Sequence, residues 1–292
     1  MGLLLRRLLR CGVWLSFLAA ASAIQATPAV QAAPAVKAAS AVEATPPVVC
    51  GPKPISVAFY EFGYFYYVEN GKAQGIDKDI VDELERRSGC AFARSLMVRA
   101  RIWANLASGD LDMSVSGIQN PQRDTFAWFA HYLTMKNHAI LRADIVPIVR
   151  NAGDFLAQPM RQFGVVRAFQ HGADQERWLA ILRAAGRVQE SPDVETIFKK
   201  LRERRVDAMF SQPPVYRKKI ADLGLQHLVH VQDWTPTEQG VPHGLILAKS
   251  RFGEENARQW RALIDAMRAD GTLQRIYSRY LPVEEAKQLL AF

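Results

Sequence analysis

Ile55–Tyr60 (ISVAFY), Ile76–Gly89 (IDKDIVDELERRSG), Ala91–Val98 (AFARSLMV) and Leu111–Ser116 (LDMSVS) decide the fold. The first is an unbroken apolar run of strand length. In the second, Ile76, Ile80, Val81 and Leu84 recur at helical spacing, and Gly89 stands where a C-terminal cap belongs. Ala91–Val98 reads as the next strand, Ala100–Ser108 as a helix ended by Gly109, and Leu111–Ser116 as a third strand. This βαβαβ order predicts an α/β fold whose parallel sheet carries ligands beyond the carboxyl ends of its strands.

A second run of the same kind begins at Phe163–Arg167. It continues through a helix at Asp174–Ala185, a strand at Arg187–Glu190, a helix at Val194–Arg204 and a strand at Asp207–Ser211. Between the runs lies an extended apolar segment, His138–Val149. Leu225–Val231 and His243–Ala248 supply two further strands. Two crossings suit a chain that leaves one lobe, builds another and returns.

Upstream, Met1–Arg10 is basic, Cys11–Ala20 is a short apolar run and Ala21-Ser22-Ala23 is a small-residue cleavage site, the three parts of a secretory signal. An uncleaved anchor is the rival reading, but the run is about half a membrane span. Arg6-Arg7 is a poor twin-arginine match, and no cysteine follows the run in a lipobox setting. Val30, Val36, Val42 and Val48 then recur every six residues in Ala/Pro-rich sequence, which reads as a linker.

The 292 residues are 49% hydrophobic and 23% charged, an ordinary globular composition with room for two medium domains. The formal charge is +8; without Arg6, Arg7 and Arg10 it is about +5, from 34 basic and 29 acidic residues. The basic residues alternate with acids on helices, as in Lys199–Arg205 (KKLRERR), with no aromatic stacking pattern. A solvated helix face is therefore expected, not a nucleic-acid surface. After the signal two cysteines remain. Cys50 precedes the first strand and Cys90 the second, so parallel neighbouring strands would bring both to one sheet edge. A structural disulfide is expected, two free thiols being the alternative.

Four segments, Tyr66–Gly89 (YYVENGKAQGIDKDIVDELERRSG), Leu106–Arg123 (LASGDLDMSVSGIQNPQR), His243–Ser250 (HGLILAKS) and Met267–Leu281 (MRADGTLQRIYSRYL), resemble in order and spacing the family 3 bacterial extracellular solute-binding proteins. The resemblance spans nearly all of Ile55–Leu281. It implies a two-lobed type II periplasmic binding protein fold with a two-strand hinge, and a first lobe to which the C-terminal helices return. The expected organisation is signal peptide 1–23, linker 24–50, first lobe 51–143 with 241–292, and second lobe 144–240. It further implies a periplasmic, monomeric receptor that delivers a small amino-acid-like or other carboxylate solute to the permease of an ABC importer, without cofactor or metal.

Asn120-Pro121-Gln122-Arg123 reads as a helix start, where free backbone N–H groups and a guanidinium would meet an anion. In the family, the arginine at the Arg123 position holds the ligand α-carboxylate; an arginine in a surface ion pair is the alternative. Gly117, Gln119 and Asn120 fall in the same strand-end loop, one residue shorter here than usual and lacking the customary small hydroxyl residues. Gln212 stands where amino-acid receptors usually carry an aspartate for the ligand ammonium, leaving Glu61 as another source of charge. Arg99 replaces an aromatic wall residue; with Arg123 and Arg101 it suits a ligand with two acidic groups, or else pairs with Asp110 or Glu61. Phe62 and, in the second lobe, Phe169 complete the expected cleft.

No Gly-x-Ser-x-Gly elbow, Walker loop or His-Glu-x-x-His is present. His227 and His230, three apart on an expected strand, face opposite sides and make a poor metal pair. No catalysis is expected. Two alternatives stay open: an enzyme like the cyclohexadienyl dehydratases that resemble these receptors, and a sensory module without transport.

Overall fold

A computed structural model describes residues 47–292; the expected signal peptide and most of the expected linker lie outside the described residues. The chain opens with β1 (Ile55–Phe59), a hairpin of β2 (Tyr67–Glu69) and β3 (Lys72–Gln74), α1 (Ile76–Ser88), β4 (Phe92–Leu96), α2 (Arg99–Ser108), β5 (Met113–Ile118) and β6 (Ala127–Met135). It continues through β7 (His138–Arg142), α3 (Ala152–Leu156), β8 (Phe163–Val166), α4 (Ala173–Ala184), β9 (Val188–Ser191), α5 (Val194–Arg202), β10 (Ala208–Ser211), α6 (Pro213–Asp222) and β11 (Val229–Gln232). β12 (Val241–Ala248), α7 (Glu254–Ala269), α8 (Thr272–Tyr277) and α9 (Val283–Gln288) follow.

The strands form two five-stranded sheets, β4-β1-β5-β12-β6 and β11-β7-β10-β8-β9. Each has three parallel strands, joined by helical crossovers, and two antiparallel ones. The chain leaves the first sheet at Lys136–Asn137, earlier than the boundary expected at 143. The reason is that Ala139, Ile140 and Leu141 are fully buried and β7 pairs on both sides, with β10 and β11, inside the second sheet. It returns between Gln232 and Val241, and α7 then packs on β6 and α8 on α1.

Local chemistry accounts for these elements. α1 buries Ile76, Ile80, Val81 and Leu84, carries Asp77 and Asp79 in its first turn and Arg86 and Arg87 in its last, and ends on Gly89 at φ 69°. That left-handed conformation strains any residue with a Cβ. α5 buries Val194, Ile197, Phe198 and Leu201, and the Asp193 side chain accepts the Thr196 N–H at 2.7 Å as its cap. Cys50 and Cys90 form a disulfide with Cα atoms 5.2 Å apart. In the second lobe Phe155, Phe163, Trp178, Phe210 and Trp234 pack ring against ring.

The Asn120–Arg123 segment departs from expectation. Only a single 3-10 turn, Arg123–Thr125, forms before the chain enters β6, whose inward side chains, among them Phe129, Leu133 and Met135, hold it extended. The Asn120 side chain accepts the Arg123 N–H at 2.9 Å, so that N–H is already satisfied.

Candidate ligand-binding cleft

The carboxyl ends of the parallel strands of both sheets meet. β1 delivers Tyr60, Glu61 and Phe62, the segment after β4 delivers Met97, Val98 and Arg99, and the turn after β5 delivers Arg123. From the second lobe come Ala168 and Phe169 after β8, Asp193 and Val194 after β9, and Gln212 after β10. A cavity of about 340 Å³ lies among Tyr60, Glu61, Leu96, Met97, Val98, Arg99, Val166 and Val194. A smaller one of about 20 Å³, lined by Phe62, Phe169, His171 and Gln212, shares Val166 and Val194 with it. A further cavity of about 310 Å³ lies between Lys136, His138, Gly240 and the C-terminal residues, away from these strand ends.

Arg99 is 8% exposed, and its guanidinium carbon lies 4.0 Å from the Tyr60 ring centroid, 4.9 Å from Phe62 and 5.2 Å from Phe169. It donates to the Tyr60 hydroxyl, and the groups acting on its charge are Tyr60 and Asp77 rather than Asp110 or Glu61. Burial lowers its pKa, and the same desolvation raises that of Tyr60. Arg123 stacks on Trp103 at 3.7 Å, donates to the Ile118 carbonyl at 2.6 Å and reaches across the lobes to the Ala168 carbonyl at 3.3 Å. Desolvation, with Arg99 nearby, pushes its pKa down to about 10. Phe62 faces Phe169 across the lobes with centroids 6.2 Å apart. Two guanidiniums are thus held by ring faces and carbonyls with N–H groups to spare, an arrangement suited to an anionic guest.

Behind this floor Asp77, in the first turn of α1, accepts from the Tyr132 hydroxyl at 2.6 Å and the Ser116 hydroxyl at 2.8 Å. Burial raises its pKa to about 7, against the lowering effect of Tyr132, Ser116 and Arg99. Gln212 is buried, and its amide nitrogen is 3.0 Å from Nε2 of His243 on β12.

Of the residues expected at the cleft, Arg99, Arg123, Phe62, Phe169 and Gln212 come together here. Glu61 is exposed at the rim of the larger cavity. Asn120 is spent on its own turn. Gln119 turns away: it is exposed, bonded to Asp124, and lines a groove with Phe129, His131 and Arg261. Gly117 serves packing, since a Cβ there would lie 2.3 Å from Ile246 Cγ1. Arg101 is exposed. Tyr60, Trp103 and His243 were not anticipated. Trp103 lies four residues beyond Arg99 on α2, a spacing that places both on one helix face, whereas nothing local marks His243.

A cleft between two α/β lobes of matching strand order, joined by two crossings, defines a two-lobed type II periplasmic binding protein. The chain belongs to the bacterial extracellular solute-binding proteins, family 3, whose family model matches residues 55–283. An ancestral arginine-binding protein bound to arginine is similar in structure, with a TM-score of 0.67 and 20% identity over 78% of this chain and 98% of that one. The arginine-, lysine-, histidine-binding protein ArtJ of Geobacillus stearothermophilus gives 0.66 and 19% over 81% and 100%. The ancestral amino-acid-binding protein AncCDT-1, a precursor of cyclohexadienyl dehydratase, gives 0.64 and 21% over 78% and 96%. No curated protein sequence matches the chain.

Proposed function

We propose that this protein is an exported receptor that captures a small carboxylate-bearing solute between its lobes and delivers it to the membrane permease of an ABC importer. The observation that carries this reading is the pair of buried guanidiniums, Arg99 and Arg123, at the strand ends, with Arg123 already touching the second lobe at Ala168. A carboxylate bound there forms charge-assisted hydrogen bonds in a site largely stripped of water, where they are strongest. Its contacts to both lobes differ between open and closed forms, which is what lets a ligand shift the lobe equilibrium. Family membership and the amino-acid-binding neighbours support the solute class.

The test is calorimetry of the purified protein, after unfolding and refolding to strip bound solute, against a panel of small carboxylates, with mass spectrometry of what denaturation releases. Saturable binding of a carboxylate that is recovered unchanged supports the receptor reading. Conversion of the bound compound during incubation overturns it in favour of an enzyme.

A further inference from the structure

The pairing of Gln212 with His243 carries information about the ligand. His243 is 1% exposed on β12, opposite Ile118 of β5, whose carbonyl holds Arg123. Its Nδ1 lies 2.7 Å from the Val241 carbonyl, which only accepts, so Nδ1 carries a hydrogen. Burial, with Arg99, His131 and Arg123 nearby, pushes the imidazole pKa down to about 3. The ring is therefore neutral and its Nε2 presents a lone pair. Gln212, 3.0 Å away, meets that lone pair with its NH2; turned over, its carbonyl would oppose the lone pair instead.

The amide carbonyl consequently points away from His243. That oxygen is buried with no protein hydrogen-bond partner, and the side chain lines the small cavity between Phe62 and Phe169. It is a fixed, neutral acceptor, and the Arg99 guanidinium lies against the Phe62 and Phe169 rings that line the same cavity. No aspartate or glutamate lines this cavity. Behind His171, Glu176 is engaged by the His171 N–H and ring and by Arg183, and Asp193, which lines the neighbouring larger cavity, has its carboxylate bonded to Thr196. Glu61 is exposed at the rim of the neighbouring cavity. An ammonium placed against Gln212 loses its water and gains no counter-charge, while Arg99 and Arg123 repel it. A hydroxyl donates the one hydrogen bond the carbonyl needs and carries no charge into the site.

We infer that His243 is a positioning residue that sets the Gln212 amide with its oxygen toward the ligand, so that the cleft prefers a 2-hydroxycarboxylate to the α-amino acid of the same skeleton. The inference rests on the receptor reading above and narrows it.

The experiment titrates stripped protein with matched pairs: 2-hydroxyisovalerate and valine, malate and aspartate, 2-hydroxyglutarate and glutamate. Expected is at least one hydroxy acid binding tenfold or more tightly than its amino twin, with the order reversed in Gln212→Asp. Amino twins that bind as well or better in the wild type overturn this inference and leave the receptor reading standing, as does failure of every pair to bind while another carboxylate released on denaturation binds; a protein that binds neither the pairs nor any released carboxylate overturns both. His243→Leu, which frees the amide to turn, should cut the preference to under threefold while the hydroxy acid still binds. Nitrogen-15 NMR of the wild-type imidazole tests the positioning role even if that variant does not fold. An Nδ1-protonated neutral ring is expected, and an Nε2-protonated ring overturns the proposal.

Discussion

Replacing Arg123 by alanine separates what this side chain does for the ligand from what it does for the fold. In the folded protein the guanidinium donates to Ile118 at 2.6 Å and to Ala168 at 3.3 Å and lies 3.7 Å from the Trp103 ring centroid. A hydrogen bond from a charged group to a ligand carboxylate contributes ~1.5–3 kcal/mol, so the Kd in Arg123→Ala should rise about 10- to 150-fold. Stability should move far less. The lost stacking, ~0.5–2 kcal/mol, and the lost carbonyl bonds, ~1 kcal/mol each, are offset because a largely buried charge no longer has to be desolvated. Arg123→Lys sharpens the test, because a single ammonium keeps the charge but cannot serve Ile118, Ala168 and a carboxylate through one planar fork; a Kd between those of wild type and Arg123→Ala is expected. The assay is calorimetry with the solute that denaturation releases, alongside urea unfolding of each variant. Affinities of both variants within threefold of wild type, at unchanged stability, would refute the assignment of Arg123 to the ligand.

Three further outcomes are expected. Asp77 has a folded pKa of about 7 against an ordinary value of 3.8, so the folded chain holds the extra proton between those values and this group's contribution to stability falls as pH rises from 4 to 7. The loss reaches about 4 kcal/mol. Asp77→Asn should therefore gain on the wild type as pH rises, while the opposite slope from His243 cancels in the difference; parallel stability curves from pH 4 to 8 would contradict this. Removing the Cys50–Cys90 bond, whose partners are 40 residues apart, should cost roughly 3 to 4 kcal/mol in urea unfolding. A change under about 1 kcal/mol would show that the reduced chain is already constrained. Ligand that touches both lobes should shrink the radius of gyration in small-angle scattering of protein lacking residues 24–46, with motion at Lys136–Asn137 and between Gln232 and Val241. Identical profiles with and without a solute proven to bind would count against closure.

The amino-acid sequence by itself determined the alternation of strands and helices and most of their extents, because each rests on interactions within a few residues. The α1 stripe ending at Gly89 and the Asp193 cap of α5 are of this kind, and the cysteines at one sheet edge follow from the βαβ unit between them. It also marked Arg99 and Arg123 as cations placed just past strand ends. Only the tertiary structure decided what those ends do. The Asn120-Pro121 start has good local helix chemistry, yet it is cut to one turn because β6 must extend to pair with β12. Gln119 leaves the cleft because Gln119, unlike Arg123, finds its partner on the outer side, at Asp124. The orientation of Gln212 depends on His243, 31 residues away on the other sheet, and that of Arg123 on Trp103 and Ala168. Hydrogen-bond direction at a buried amide is set by whichever group lies opposite across the lobes, and no local sequence pattern encodes that.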